Sequence, residues 1–469
     1  MSRSLTITRH IACVFFALAI ILPVIAVLVL HSAAFKQRLE RNSSASFALD
    51  LTIGQPLQVS LLHGLRLSAR DLHMRKQGLD VASASQVHMG IDLLPLLRGE
   101  VRINNIALHD PVVAIERYHD GSFNFTRPQP RVTTLQLLRV EVHNANVHFT
   151  DMLTDTEYSA TGCDVTVLGV QPIDRPSLRD PASLTVSGDV TCATLSTDLL
   201  IARDLELALS GNNGTFTFNP ITMTLFGAEG SGSVLADLSG AVPRYEASYA
   251  LPQFLLADFF ALMSPTDAPT GMMDFSTHLT AQGHTLPELK QSLTGQLALQ
   301  GHDLIIQGSD LDEQFARYES SQHFNLVDAG AVLFAGPLGL LVTKGFNFAN
   351  IALAPGTRSE IRAVISQWRI SNGVAYAEDV AMATNENLLA LKGELDFPNA
   401  SFRNMSFALL DESGCARIEQ TIAGTFQQPA IARPSVLGSL AGPMLTLLRA
   451  LKRDSNCPVF YACSLAVQP

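Results

Sequence analysis

From about residue 57 the chain alternates apolar and polar residues with period two, the pattern of a strand with one buried face. This continues through most of the sequence with little helical relief, and that decides what the chain can fold into. Leu57-Gln-Val59-Ser-Leu61 is one such run, and Val87-His-Met89-Gly-Ile91-Asp-Leu93 another. Val140-Glu-Val142, Val147-His-Phe149, Phe216-Thr-Phe218 and Ile221-Thr-Met223-Thr-Leu225 continue it, the last two around a turn expected at Asn219-Pro220. Further turn signals fall at His119-Asp-Gly121, Gly211-Asn-Asn-Gly214, Pro355-Gly356 and Ser371-Asn-Gly373. Closely spaced strands joined by tight turns predict antiparallel meanders rather than βαβ units.

Helical pattern is confined to a few short stretches. Residues 254–263 (FLLADFFALM) and 286–293 (LPELKQSL) are two. The third, 434–452, carries Val436, Leu440, Met444, Leu447, Leu448 and Leu451 on one stripe, with Pro434 in its first turn and Lys452 in its last. So few helices cannot roof so much sheet. The sheet must pack on itself as a sandwich, close as a barrel, or curl into a trough. Sandwiches and barrels usually stop growing near 200–250 residues, so a long curled sheet with an apolar interior scales best. A loose unit, apolar-x-apolar-x-Gly-x-apolar, recurs around Gly188, Gly301 and Gly393. Glycines placed so predict bulges or bends that let a sheet curl.

Before the strands lies a run of 20 residues with no charged side chain, opening at Ile11, passing Leu18 and Pro23, and closing at Leu30. At about 1.5 Å per residue it matches a bilayer's hydrocarbon thickness of roughly 30 Å. Arg3 and Arg9 precede it; Lys36, Arg38 and Arg41 follow. The run reads as an uncleaved transmembrane anchor. A cleaved signal peptide is the rival, since Ser32 and Ala34 offer a small-x-small site. Flanking charge does not orient it, but a large folded domain can be translocated largely regardless of charge.

Five of the six cysteines lie beyond the anchor. No CxxC or Cys/His spacing points to zinc, so an oxidising compartment with up to two disulfides is expected. The pairs read here are Cys163 with Cys192 and Cys415 with Cys457, leaving Cys463; five unrelated buried thiols is the competing reading.

A net charge of −11 and a pI near 5.6 argue against nucleic acid, which needs a basic face to replace phosphate counterions. Only 16% of residues are charged, where about 25% is usual; Ser, Thr, Asn and Gln take up the solvent faces. No phosphate-binding GxxxxGKS/T, no GxGxxG, GxSxG or HExxH occurs. His109-Asp110, His119-Asp120 and His302-Asp303 are neighbours, and adjacent strand residues point to opposite faces. His143 and His148, five apart, also fall on opposite faces of a regular strand, so no metal site is read there. The chain is expected to be no enzyme and to hold no cofactor.

Two stretches resemble the AsmA family of anchored periplasmic proteins of the bacterial inner membrane. The first runs over 57–125: LQVSLLHGLRLSARDLHM, then LDVASASQVHMGIDLLPLLRGEVRINNIALHDPVVAIERYHDGSFNF. Its LLPLLRGE segment is similar to the family's LLxGxxxI element, and His109-Asp-Pro111 through Asn124 to the element that follows. The second is ISQWRISNGVAYAEDVAMATNENLLALKGELDFPNASFRNMSFALLD followed by GCARIEQTIAGTFQQPAI. The terminal Cys457-Pro-Val-Phe-Tyr461 is also of family type, although Cys463 stands where family members tend to show glycine.

The resemblance implies a mainly β protein: an N-terminal transmembrane helix, then a long curled antiparallel sheet forming a taco-like groove, with a few short helices. The expected organisation is a cytoplasmic tail (1–10), the anchor (11–30), an N-terminal AsmA-like groove (31–250), a helical interruption (251–293), a C-terminal AsmA-like β region (294–433), and an amphipathic helix with a cysteine-containing tail (434–469). Val140, Val142, Leu391 and Leu395 are its candidate groove lining. The implied function is support of phospholipid transport to, and assembly of, the outer membrane, with acyl chains in the groove and headgroups at its edge. The expected partners are phospholipid, the inner membrane and an outer-membrane or periplasmic protein. A non-enzymatic scaffold for outer-membrane protein assembly, carrying no lipid, is the alternative.

Overall fold

The structure is a computed structural model describing residues 36–37, 49–60, 65–92, 103–125, 139–169, 185–198, 200–261, 269–307, 310–313, 315, 358–432, 435–436, 458–462 and 465. Strand dominates, as the alternation requires. The chain divides into two compact units, Met1–Met223 and Thr224–Pro469. Among the described residues no helix is long and apolar enough to cross a membrane. The anchor read at 11–30, with Ile11, Leu18, Pro23 and Leu30, lies outside them, as do Cys457, Cys463 and the turn at Pro355-Gly356.

The first unit contains β1 (Asp50–Ile53), β2 (Gln58–Ser60), β3 (Leu65–Lys76), β4 (Leu79–Ile91), β5 (Ile103–His109), β6 (Val112–Arg117), β7 (Arg139–Asp151), β8 (Thr156–Leu168), β9 (Val186–Thr197) and β10 (Ile201–Asn212). β1 and β2 both pair with β3. β3 and β4 meet through Gln77-Gly78, both at positive φ (53° and 88°), the two-residue turn whose twist matches a hairpin.

The antiparallel expectation is corrected at β7, which runs parallel to both β5 and β6. β5 and β6 form one line between β4 and β7, kinked at Asp110-Pro111. A parallel neighbour needs a long crossover, and residues 118–138 supply it. Beyond β7 the sheet is antiparallel through β8, β9 and β10.

β11 (Thr215–Leu225) straddles the division between the units. The turn expected at Asn219-Pro220 is not made; the strand runs on through a cis peptide there.

The second unit has β12 (Ala228–Asp237), β13 (Arg244–Leu255), α1 (Leu256–Ala261), β14 (Thr270–Gln282), α2 (Leu286–Ser292), β15 (Thr294–Gln307), β16 (Arg358–Ser371), β17 (Val374–Thr384), β18 (Leu388–Asp396), β19 (Ser401–Leu410), β20 (Ala416–Gly424), β21 (Pro429–Ile431) and β22 (Ser435–Val436). From β12 to β20 successive strands pair antiparallel. The helix expected at 254–263 is shorter, because Phe254 and Leu255 still belong to β13 and pair with β14. α2 forms where expected: the Thr285 hydroxyl accepts from the Glu288 amide, and the Glu288 carboxylate accepts from the His284 amide at 2.8 Å. At 434–452 the start differs from the expected helix, since Ser435 and Val436 pair with β20; most of that segment lies outside the described residues.

Of the three glycines expected to bend strands, only Gly393 does so. It sits at φ 135° where the β18–β19 register shifts, and a Cβ there would stand 2.5 Å from Met405 Cα. Gly188 and Gly301 stay in regular register.

In this unit one face of the sheet carries the main core. Across it Gly301, Val364, Met382, Leu389, Leu409 and Ile418 stand opposite one another in successive strands. The core also includes Leu256, Phe259 and Phe260 from α1, and Leu311 and Phe315 from a helical turn after β15. The buried Ser359 hydroxyl accepts from the Leu311 amide at 2.7 Å and fixes that turn. On the opposite face Ala381, Ala390 and Ala408 are 0% exposed, in a cluster with Phe460 and Tyr461 near the carboxy terminus. Tyr461 Oη donates to Asp379 Oδ1 at 2.5 Å, and Lys392 Nζ lies 4.8 Å from the Phe460 ring centre. Both faces are thus covered over β17–β19.

Leu304, 0% exposed in this core, tests its packing. Leu304→Ala should cost about 2–5 kcal/mol. The cost is read as a lower urea midpoint followed through Trp368, the single tryptophan of the chain.

Candidate functional site

The first unit treats its apolar face differently. Residues directly opposite in neighbouring strands share a face. One cross-sheet row reads Ala69, Val87, Leu108, Val142, Val165, Val190 and Leu207 through β3, β4, β5, β7, β8, β9 and β10. The next reads Leu67, Met89, Ile106, Val140, Val167, Gly188 and Leu209. Shorter rows follow: Ala145, Cys163, Cys192 and Leu205, then Val113, Val147, Ala160, Leu195 and Ala202. The other face is mostly polar, with Ser68, His88, Ala107, Glu141, Thr166, Asp189 and Ala208 in line.

At the β3 end this face is buried by Ile53 and Leu57. From Leu108 to Leu207 the same row is only half-buried, each side chain flanked by neighbours in the sheet. The clusters of buried apolar residues here are small, one around Leu65 and Leu67 and one of Ala145, Cys163 and Cys192. Seven strands at about 4.8 Å spacing make the face about 29 Å wide, and eight or so residues at about 3.3 Å make it roughly 25 Å along the strands.

The alternation survives a crease that was not read from the sequence. Asp110, Asn144, Gly162 and Asp204 take positive φ (47°, 54°, 61° and 53°) at neighbouring levels of the sheet. At each the in–out phase slips by one residue, so Val142 and Ala145 face the same side although three apart. Asp and Asn tolerate this conformation. The slip also corrects the reading of His143 and His148, which share the polar face. There the His109 and His143 rings stack at 4.9 Å, and His88 meets His109 edge-on at 5.5 Å. Burial, then the neighbouring His109, Arg66 and Arg70, push His88 below its ordinary pKa. Among the described residues no group of three side chains could hold a metal.

Hydrogen bonds pin the crease. Asp110 accepts from Asn144 Nδ2 at 2.7 Å and from the Ser85 hydroxyl at 2.8 Å, and these bonds hold its carboxyl below the usual range. Cys163 and Cys192, directly opposite on β8 and β9, form a disulfide with Cα atoms 4.0 Å apart. Cys415 is disulfide-bonded too, and its neighbour across an isolated bridge is Val459. At the far end of the face Arg117 Nη1 donates to Asp151 Oδ2 at 3.2 Å, and Asp151 is 6% exposed. Burial raises the Asp151 carboxyl, but the Leu153 amide, Arg117 and Thr154 outweigh it, and its pKa is lowered.

Of the lining residues read from sequence, Val140 and Val142 lie on this half-buried face. Leu391 and Leu395 instead sit in the second unit's core, 5% and 4% exposed. The unread features, the crease and the Arg117–Asp151 closure, had a signal in Asp and Asn residues that break strand phase, as in Val142-His-Asn-Ala145.

These features define a β-sheet protein that presents an apolar face, with its polar groups engaged in holding strands. The AsmA family model matches residues 1–131, and over that stretch the assignment to the family stands, as the 57–125 resemblance implied. The second resembling stretch lies beyond the match. No curated protein matches the chain.

Replacing both cysteines (Cys163→Ala with Cys192→Ala) should cost the first unit about 3–4 kcal/mol by loop entropy. Faster amide exchange across β8 and β9, with an unchanged Trp368 transition, is the expected reading. Asp151→Asn should lower stability at neutral pH. A depressed carboxyl stabilises above its unfolded pKa of about 3.9 and ceases to as pH falls through the folded value. The variant and the native chain should therefore converge in urea midpoint as pH drops from 6 towards about 3.

Proposed function

We propose that the half-buried face of the first unit binds the acyl chains of phospholipid. The protein then acts from the inner membrane, anchored by residues 11–30, with the bulk of the chain in the periplasm. It supports phospholipid transport to, and assembly of, the outer membrane, and it does so without enzymatic chemistry. The observation that carries this reading is the pair of cross-sheet rows seven strands wide, apolar throughout apart from Gly188.

Size supports it. The part of the rows that stays half-buried, from β5 to β10, has a footprint of about 19 by 25 Å, roughly 480 Å², the size of the largest apolar patch on a typical monomer, which is often functional. Each methylene kept from water there is worth about 0.8 kcal/mol. The line of bulges bends the strands that carry the rows, the local geometry a taco-like groove needs. The AsmA match over 1–131 covers the strands where the rows begin. A scaffold that assembles outer-membrane proteins without lipid is the second reading, and the filled core of the second unit favours it.

Lipid extraction and native mass spectrometry of the full-length chain released from membranes test the two. Phospholipid should accompany the native protein and be lost from a Val142→Asp, Val165→Asp double variant that keeps its Trp368 unfolding transition. A native protein free of lipid would leave the scaffold reading.

A further inference from the structure

We infer that the sheet from β15 to β19 is a closed body that admits no acyl chain, lipid being held on the first unit's face. The inference rests on the lipid-binding reading above and sets its limits. In a through-conduit the apolar face of every strand stays available to lipid. From β15 to β19 that face is already occupied by the protein's own side chains, whereas Val234, Ala247 and Leu279 in line on β12–β14 are half-buried.

Trp368, Leu391 and Phe407 lie on it at 3%, 5% and 1% exposure. Phe259 of α1 and Phe315 of the turn after β15 belong to the same core. The polar groups there are committed as well: Trp368 Nε1 donates to Ser366 Oγ at 2.8 Å, with Ser366 0% exposed. Interiors packed in this way leave few voids larger than a water molecule, so an acyl chain could enter only by displacing the roof. In the first unit the corresponding residues, Val142, Val165 and Leu207, have half-buried side chains.

Capacity follows from the first unit's dimensions. An acyl chain spans about half of a roughly 30 Å hydrocarbon layer, so the half-buried stretch, about 19 Å wide, holds a few acyl chains side by side. Lipid must then bypass β15–β19, and any receiving partner must meet it outside them.

The lone tryptophan makes this testable in the native chain. The full-length protein is reconstituted in vesicles of phosphatidylcholine brominated on its acyl chains, where bromine quenches any indole it touches. Unbrominated vesicles are the reference. Trp368 should keep its full emission. A Val142→Trp chain that retains Trp368 should lose the share of emission contributed by the new indole, and Val165→Trp gives the same reading should Val142→Trp fold poorly. Quenching of Trp368 in the native chain would overturn the inference while leaving lipid binding in place. Absence of quenching at 142, 165 and 368 alike would overturn the lipid reading and this inference with it.

Discussion

A β-sheet with one apolar face must hide that face, and the two units of this chain do so to different extents. In the second, short insertions do the covering. α1 follows β13 and contributes Leu256, Phe259 and Phe260; a turn after β15 contributes Leu311 and Phe315. The reverse face, lined with alanines, is closed by Phe460 and Tyr461. In the first unit the same alternation produces aliphatic rows that remain half-buried. The difference comes from what is inserted between strands, since the strands themselves carry the same period.

The first unit keeps its rows continuous because its irregularities occur together. A single bulge in one strand would turn the rest of that strand's apolar residues to the polar side. Here Asn144, Gly162 and Asp204 slip phase at neighbouring levels, and the residues beyond stay aligned: Val147, Ala160, Leu195 and Ala202 remain opposite one another. The disulfide between Cys163 and Cys192 lies beside this crease and holds β8 to β9 there. Asp110, bonded to Asn144 and Ser85, does the same for β5, β7 and β4 on the polar side.

Strand character was legible because a period of two survives in the sequence wherever one face is dry. α2 was legible as the helical stretch 286–293, and the structure adds its cap, the Thr285 hydroxyl accepting from the Glu288 amide in the first turn. Pairing direction was not. Nothing in Val112 to Arg117 or Arg139 to Val142 distinguishes a parallel from an antiparallel neighbour, and only the 21-residue crossover allows it. The run through Asn219-Pro220 was missed because those residues are as common in turns as at strand irregularities. The assignment of Leu391 and Leu395 to a groove shows the main limit. Alternation reveals which residues point inward, but whether another layer covers them depends on segments distant in sequence, here α1 and the turn at Leu311.

The same limit bears on function. An aliphatic face is not selective by itself: a protein strand, a helix or a lipid tail could each cover it, at about 25 cal/mol per Å² of apolar surface removed from water. The proposed lipid, rather than a fixed partner, is favoured on this face by a reason of chemistry. The two long rows, from Leu108 to Leu207 and from Ile106 to Leu209, are aliphatic apart from Gly188; the aromatic pair on this face, Phe149 and Tyr158 stacked at 5.7 Å, stands apart from them towards its Arg117–Asp151 end. Protein interfaces draw on aromatic and Arg anchors set in pockets and on hydrogen bonds about every 100–200 Å². A uniform aliphatic surface offers neither, whereas an acyl chain requires neither and can slide along it without exchanging one specific contact for another.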